Sequence, residues 1–186
     1  MNLPTKITLS RIIVMPALIV LFCVEFPYHY LAAAILFVLA AITDMIDGRL
    51  ARKRGEVTEL GKLLDPIADK VLAASVMILE ATSGLMMYDP AGAILVSVIV
   101  CREIIIGAFR TVAARNGRIL PADKLGKIKT ILLNVSLPII MVGDFHIAVR
   151  IAGNVLFALA ALFTVVSGVH YLVKNRDVFE EERDDG

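Results

Sequence analysis

The chain has 186 residues, 58% of them apolar, and a mean hydropathy of +0.79. That composition excludes an ordinary water-soluble domain and places the chain in the membrane class, as one domain over residues 1–186. The 19 Lys and Arg nearly balance the 18 Asp and Glu, so only the distribution of charge is informative; no nucleic-acid motif, low-complexity tract or internal repeat is present.

Residues 1–11, MNLPTKITLSR, mix polar and apolar positions and carry Lys6 and Arg11. They read as a short amphipathic helix lying at the membrane interface. The apolar run that follows lacks a small-residue cleavage site, so a cleaved signal peptide is not expected. Six apolar segments come next, at 12–26, 28–43, 71–87, 91–109, 128–142 and 149–173. Most approach the roughly 20 residues needed to cross a bilayer once their polar ends are counted. The expected architecture is therefore all-α and integral to the membrane, with six transmembrane helices after the interfacial one.

The links after the first, third and fifth segments (PYH, YDP and GDFH) contain no Lys or Arg, and Arg150 is the only base near them. The N-terminus, the 49–62 and 110–129 links and the charged tail from 174 to 186 hold nearly all the other bases. The positive-inside rule places those, and both termini, in the cytoplasm. Cys23 and Cys101 lie inside apolar segments and read as small buried hydrophobes, with no disulfide framework.

The most informative stretch runs from Asp44 to Asp69, DMIDGRLARKRGEVTELGKLLDPIADK. Both flanks are uncharged and apolar, and an isolated charge there costs several kcal/mol by most estimates. Asp44 and Asp47 are three positions apart and Asp65 and Asp69 are four apart, so each pair shares a helix face. RKRGEVTE between them reads as a turn. An antiparallel hairpin would let the four carboxylates face one another. No His or Cys is close in sequence, so the ligands are all oxygen, which favours Mg²⁺ or Mn²⁺, or Ca²⁺, over zinc. Four carboxylates can hold two divalent ions about 3.5–4 Å apart, an arrangement suited to displacement at phosphorus. Helix caps do not explain Asp44 and Asp47, because the helix dipole disfavours anions at a C-terminal end. Gly48, Ala51 and Gly61 keep the facing surfaces open, and Arg52 offers a planar fork for phosphate.

A second stretch, residues 101–130, places Arg102 and Glu103 inside an apolar segment, where pairing with other helices is expected. A basic rim of Arg110, Arg115, Arg118, Lys124, Lys127 and Lys129 follows. Positive-inside topology and anionic lipid headgroups account for such a rim as well as a pocket for an acidic substrate does. Arg110, Arg118 and Lys127 are the candidates for that pocket, and Arg110 and Lys127 lie nearest the apolar segments. Gly107 and Gly126 are expected to allow close helix packing.

The pattern Asp44-x-x-Asp47-Gly48-x-x-Ala51-Arg52, eight residues, Gly61-x-x-x-Asp65-x-x-x-Asp69 resembles the signature of the CDP-alcohol phosphatidyltransferases at every fixed position and every gap. The resemblance implies an integral membrane enzyme that moves the phosphatidyl group of a CDP-activated lipid onto an alcohol and releases CMP. NLPTKITLSRIIVMP, LLDPIADKVL, CREIIIGAFR and LGKIKT are similar to the branch of that family that uses sn-glycerol 3-phosphate, over residues 2 to 130. The substrates implied are CDP-diacylglycerol and glycerol 3-phosphate, and the setting is the bacterial inner membrane. The resemblance further implies that Asp44, Asp47, Asp65 and Asp69 hold two divalent cations and that Asp69 accepts the proton. Gly48, Ala51, Arg52, Thr58 and Gly61 would contact the CDP-lipid, with Thr8 and Arg11 bordering the nucleotide. A homodimer is expected, and Gly153, Ala160 and Gly168 are small residues suited to helix packing.

Two alternatives stay open. One is another acceptor within the same family: inositol phosphate, serine or phosphatidylglycerol. The other is a cation transporter with intramembrane carboxylates, which would call for acids near mid-membrane and discontinuous helices in symmetry-related halves.

Overall fold

The computed structural model describes the backbone of residues 3–54, 59–86, 90–115, 118, 120–121 and 124–176. Side chains are described for residues 13–43, 67–86, 90–115, 118, 120–121 and 124–176. Among the described residues the protein is all-helical: α1 (Leu3–Cys23), α2 (His29–Arg54), α3 (Glu59–Thr82), α4 (Ala91–Arg115), α5 (Lys124–Val142) and α6 (Ile147–Lys174). A helix satisfies its own backbone hydrogen bonds, and so is one of the few structures that lipid tolerates. Among the described residues, α4, α5 and α6 are each long and apolar enough to cross a membrane, and shorter apolar helical stretches occur at Ile13–Cys23 and His29–Thr43.

The six helices correspond to the six apolar segments, with three differences in extent. Residues 3–23 form one continuous helix, so no break separates the expected interfacial segment from the first apolar run. Helix α2 continues through the first half of the aspartate stretch to Arg54, and α3 begins at Glu59. Of the expected eight-residue turn, positions 52–54 and 59 are therefore helical, and positions 55–58 lie outside the described residues. The reason for the longer α2 is local: LARKR contains only good helix formers. Helix α4 likewise runs on to Arg115, past the end of its apolar segment.

The helices pack as a closed ring of neighbours: α3 touches α4 and α5, and α6 touches the same two. Helix α1 packs on α2 and α3, and α2 packs on α5. Leu18, Val76, Ile99, Leu137, Ile140 and Phe157 form the centre of the core. Helices α5 and α6 meet most closely. A Cβ on Gly153 would lie 2.9 Å from the backbone nitrogen of Ile140, so only glycine permits that approach. Gly168 likewise lies against the Arg102 side chain, and Ala160 is fully buried. The three small residues that looked available for helix packing are thus used within the chain. Gly126 has nothing near it, so its expected packing role is not found.

Buried hydroxyls satisfy themselves on their own helices. Ser136 donates to the Leu133 carbonyl at 2.9 Å, and Thr164 to that of Ala160 at 2.7 Å. Cys23 and Cys101, expected inside, are both exposed. In a membrane chain the outer surface is as apolar as the core, so an apolar neighbourhood does not place a cysteine inward.

The α1–α2 and α5–α6 turns, which carry no Lys or Arg, meet at one end of the bundle. Tyr28, in the α1–α2 turn, stacks on Phe145 of the α5–α6 turn with ring centroids 5.5 Å apart. Arg150, near the start of α6, donates from Nε to the Leu85 carbonyl at 2.9 Å and from Nη2 to that of Gly84. Both carbonyls lie in the turn just after α3, where Gly84 takes a left-handed φ of 73°. Arg150 therefore ties that turn to the start of α6, which explains the one base on a side otherwise without Lys or Arg.

Candidate active site

A cavity of about 990 Å³ lies between α3, α4 and α5, with Tyr171 of α6 in its wall. It occupies the end of the bundle opposite to Arg150, because its walls are the first half of α3, the second half of α4 and the first half of α5. Five bases line it, Lys70, Arg102, Arg110, Lys127 and Lys129, against two carboxylates, Asp69 and Glu103.

Glu103 is the hub of these charges. Its Oε1 accepts from Arg102 Nη1 at 2.9 Å and from Lys129 Nζ, while Lys70 Nζ stands 3.9 Å from Oε2. Arg102 Nη2 then donates to Ser167 Oγ of α6 at 2.9 Å. One carboxylate thus joins α3, α4 and α5, and its arginine partner reaches α6. The pairing of Arg102 and Glu103 with other helices was legible in the sequence; the identity of the partners was not. Gly107 makes room for Lys70, whose Nζ lies 3.3 Å from where a Cβ would stand.

Lys129 and Lys127 are two positions apart on α5 and so face different ways. Lys129 is buried, with its side chain 6% exposed, and it is committed to Glu103; Lys127 is exposed at the cavity. Arg110 lies above the ring of Tyr171, with its guanidinium carbon 5.0 Å from the centroid, and donates from Nε to the Tyr171 hydroxyl at 3.0 Å.

Among the candidate residues, the structure brings Asp69, Arg110 and Lys127 to this one cavity. Arg118 is not in its wall. The backbone carries Asp44, Asp47, Gly48, Ala51 and Arg52 on α2, Gly61 and Asp65 on α3, and Thr8 and Arg11 on α1. The side chains of these residues, and Thr58 altogether, lie outside the described residues, and with them the expected meeting of the four carboxylates. Tyr171 and Lys70 were not singled out by sequence reasoning. Lys70 directly follows Asp69, which is a signal; a tyrosine 102 positions after Asp69 in a long apolar helix gives none.

The profile of the CDP-alcohol phosphatidyltransferases matches residues 1–166. The chain belongs to that family. It is 37% identical to the CDP-diacylglycerol–glycerol-3-phosphate 3-phosphatidyltransferase of Bacillus subtilis, with 94% of this chain and 95% of that protein aligned. The protein of the same name from Rickettsia typhi is 36% identical over 91% of this chain and 94% of its own length. A third, from Salmonella choleraesuis, is 38% identical over 92% of this chain and 93% of its own. The matched region contains the whole aspartate stretch and the four helices that line the cavity, up to residue 166 of α6.

Among the described residues no three metal-ligating side chains come together. The donor chemistry of the family's signature is nonetheless a fit for hard divalent cations: four carboxylates with neither His nor Cys among them. Asp69, the one of the four whose side chain is described, is exposed at the cavity and available.

Proposed function

We propose that the protein transfers the phosphatidyl group of CDP-diacylglycerol to sn-glycerol 3-phosphate, giving phosphatidylglycerol phosphate and CMP. The observation that carries this reading is the basic cavity beside Asp69. A base-lined pocket suits an acceptor that brings its own phosphate, as glycerol 3-phosphate, inositol phosphate and phosphatidylglycerol do and serine does not. Among these, the names and high coverage of the bacterial relatives support glycerol 3-phosphate.

Asp44, Asp47, Asp65 and Asp69 are the residues that would hold Mg²⁺ or Mn²⁺. Such ions, when bound, neutralise the diphosphate and the charge that develops on the departing CMP. The chain's own groups do the rest. Arg110 and Lys127 hold the phosphate of glycerol 3-phosphate, which sets its primary hydroxyl toward Asp69. Asp69 accepts the hydroxyl proton as the oxygen attacks the lipid-side phosphorus. Gly48, Ala51, Arg52, Thr58 and Gly61 contact the CDP-lipid, and Thr8 and Arg11 border its nucleotide; Arg118 belongs to the outer basic rim and is the weakest candidate for the acceptor.

The cavity's outer wall is apolar: Ile67, Ile104 and Ile131 are 51%, 65% and 63% exposed. That wall suits acyl chains that remain in the bilayer while the polar acceptor comes from the aqueous side. All six helices cross the membrane in this reading, with residues 3–11 of α1 at the interface. The basic end of the bundle faces the cytoplasm, by the positive-inside rule, in the bacterial inner membrane. The protein acts as a homodimer, whose contact surface excludes Gly153, Ala160 and Gly168 because they are already used within the chain.

Purified protein in detergent with Mg²⁺, offered CDP-diacylglycerol and one of sn-glycerol 3-phosphate, inositol phosphate, serine or no acceptor, tests the acceptor. CMP release with glycerol 3-phosphate alone is expected. Release with another acceptor would retain the family and overturn the choice of substrate.

A further inference from the structure

We infer that Tyr171 is a positioning residue for the acceptor: it acts through Arg110, aiming the guanidinium at the phosphate. This rests on the reading of Arg110 as a phosphate-binding group. Tyr171 is 3% exposed and belongs to a small apolar cluster with Ile106, Phe109 and Ala113, apart from the main core. Phe109 meets its ring edge-on at 6.1 Å and 81°. The backbone behind it is also held: the Asn175 side chain donates to the Tyr171 carbonyl at 2.7 Å. The ring is therefore held at its side by Phe109 and by burial in the cluster, on an anchored backbone.

Onto that fixed platform the flexible Arg110 side chain is laid down by two contacts. One is the stacking of guanidinium over ring at 5.0 Å; the other is the bond from Nε to the phenol oxygen at 3.0 Å. An arginine side chain has large rotamer freedom, and each contact removes part of it before the ligand arrives. With Nε taken by the hydroxyl, the edge that carries the two Nη groups is left for an anion. Among the described residues no acceptor meets those Nη groups. That edge is the planar fork that matches two oxygens of one phosphate. Tyr171 is also the one cavity-lining residue supplied by α6, so the last helix serves the site through this contact.

The test is a double-mutant cycle on CMP release, with glycerol 3-phosphate and CDP-diacylglycerol varied separately, in wild type, Tyr171→Phe, Arg110→Gln and the double variant. Tyr171→Phe keeps the ring and loses only the oxygen. The expected result is a KM for glycerol 3-phosphate raised about fivefold, with kcat, the KM for CDP-diacylglycerol and the melting temperature unchanged. In the Arg110→Gln background the same change should have no further effect. If Arg110→Gln raises that KM while Tyr171→Phe leaves it alone, the positioning role is overturned and the phosphate-binding reading of Arg110 stands. A Tyr171→Phe effect spread over kcat and both KM values, and additive with Arg110→Gln, would mark a structural role and also overturn it. An Arg110→Gln variant with unaltered KM for glycerol 3-phosphate would overturn the reading of Arg110 itself, and the inference with it.

Discussion

Glu103 of α4 and Lys129 of α5 form an ion pair in the wall of the cavity that holds Asp69, and their side chains are only 19% and 6% exposed. The pair spans two helices that are otherwise held together through α3 and α6. A charge in such a place is costly alone and tolerable only with its partner. Glu103 holds Arg102 as well as Lys129, with Lys70 nearby, so the two members are not equivalent. Glu103→Gln leaves both bases without a carboxylate and is expected to destabilise by about 3–5 kcal/mol. Lys129→Met leaves Glu103 on Arg102 and should cost clearly less. Thermal melts of the two purified variants check this, and an equal or larger loss in Lys129→Met would contradict it.

Glu80 is the opposite case. It is fully buried on α3, and among the described residues neither of its carboxylate oxygens has a hydrogen-bond partner. An unsatisfied buried group costs about 1–3 kcal/mol, so Glu80→Leu should raise the melting temperature. A lower melting temperature would show that the carboxyl is engaged after all.

Two glycines separate packing from mere presence. Gly153→Ala drives a methyl to 2.9 Å from the Ile140 backbone and should destabilise by about 1–3 kcal/mol. Gly126→Ala meets nothing and, in a helix, should be neutral or stabilising by up to about 1 kcal/mol. Unfolding curves in the same detergent read both, and the account fails if the order is reversed.

Metal removal addresses the carboxylates. EDTA should abolish CMP release and excess Mg²⁺ or Mn²⁺ restore it, while Asp65→Asn should raise the metal concentration needed for half-maximal rate about tenfold or more. Activity that persists in EDTA would remove the metal from the account.

How much of this was legible in the sequence depends on where the chemistry sits along the chain. The six helices follow from runs of apolar residues, and the aspartate stretch follows from local spacing, because Asp44 to Asp69 is one contiguous piece. Arg110 and Lys127 were candidates because they adjoin apolar segments. Tyr171 was not visible, since its role depends on α6 returning beside α4, a contact between positions 61 apart. Lys129 looked like one more member of a basic rim until Glu103 was found to hold it inside. Cys101 shows the general reason for such gaps. When both the lipid face and the core are apolar, sequence pattern alone does not tell a helix's inner side from its outer one.

The most direct measurement is product identification by mass spectrometry. Purified protein with Mg²⁺, CDP-diacylglycerol and isotopically labelled sn-glycerol 3-phosphate would be run beside its Asp69→Asn variant. Labelled phosphatidylglycerol phosphate should form in equal amount with CMP, and its rate should fall at least about a thousandfold in the variant, within the range expected when a proton acceptor that also holds the metals is lost. A labelled product of another mass, or an undiminished rate in Asp69→Asn, would contradict the account.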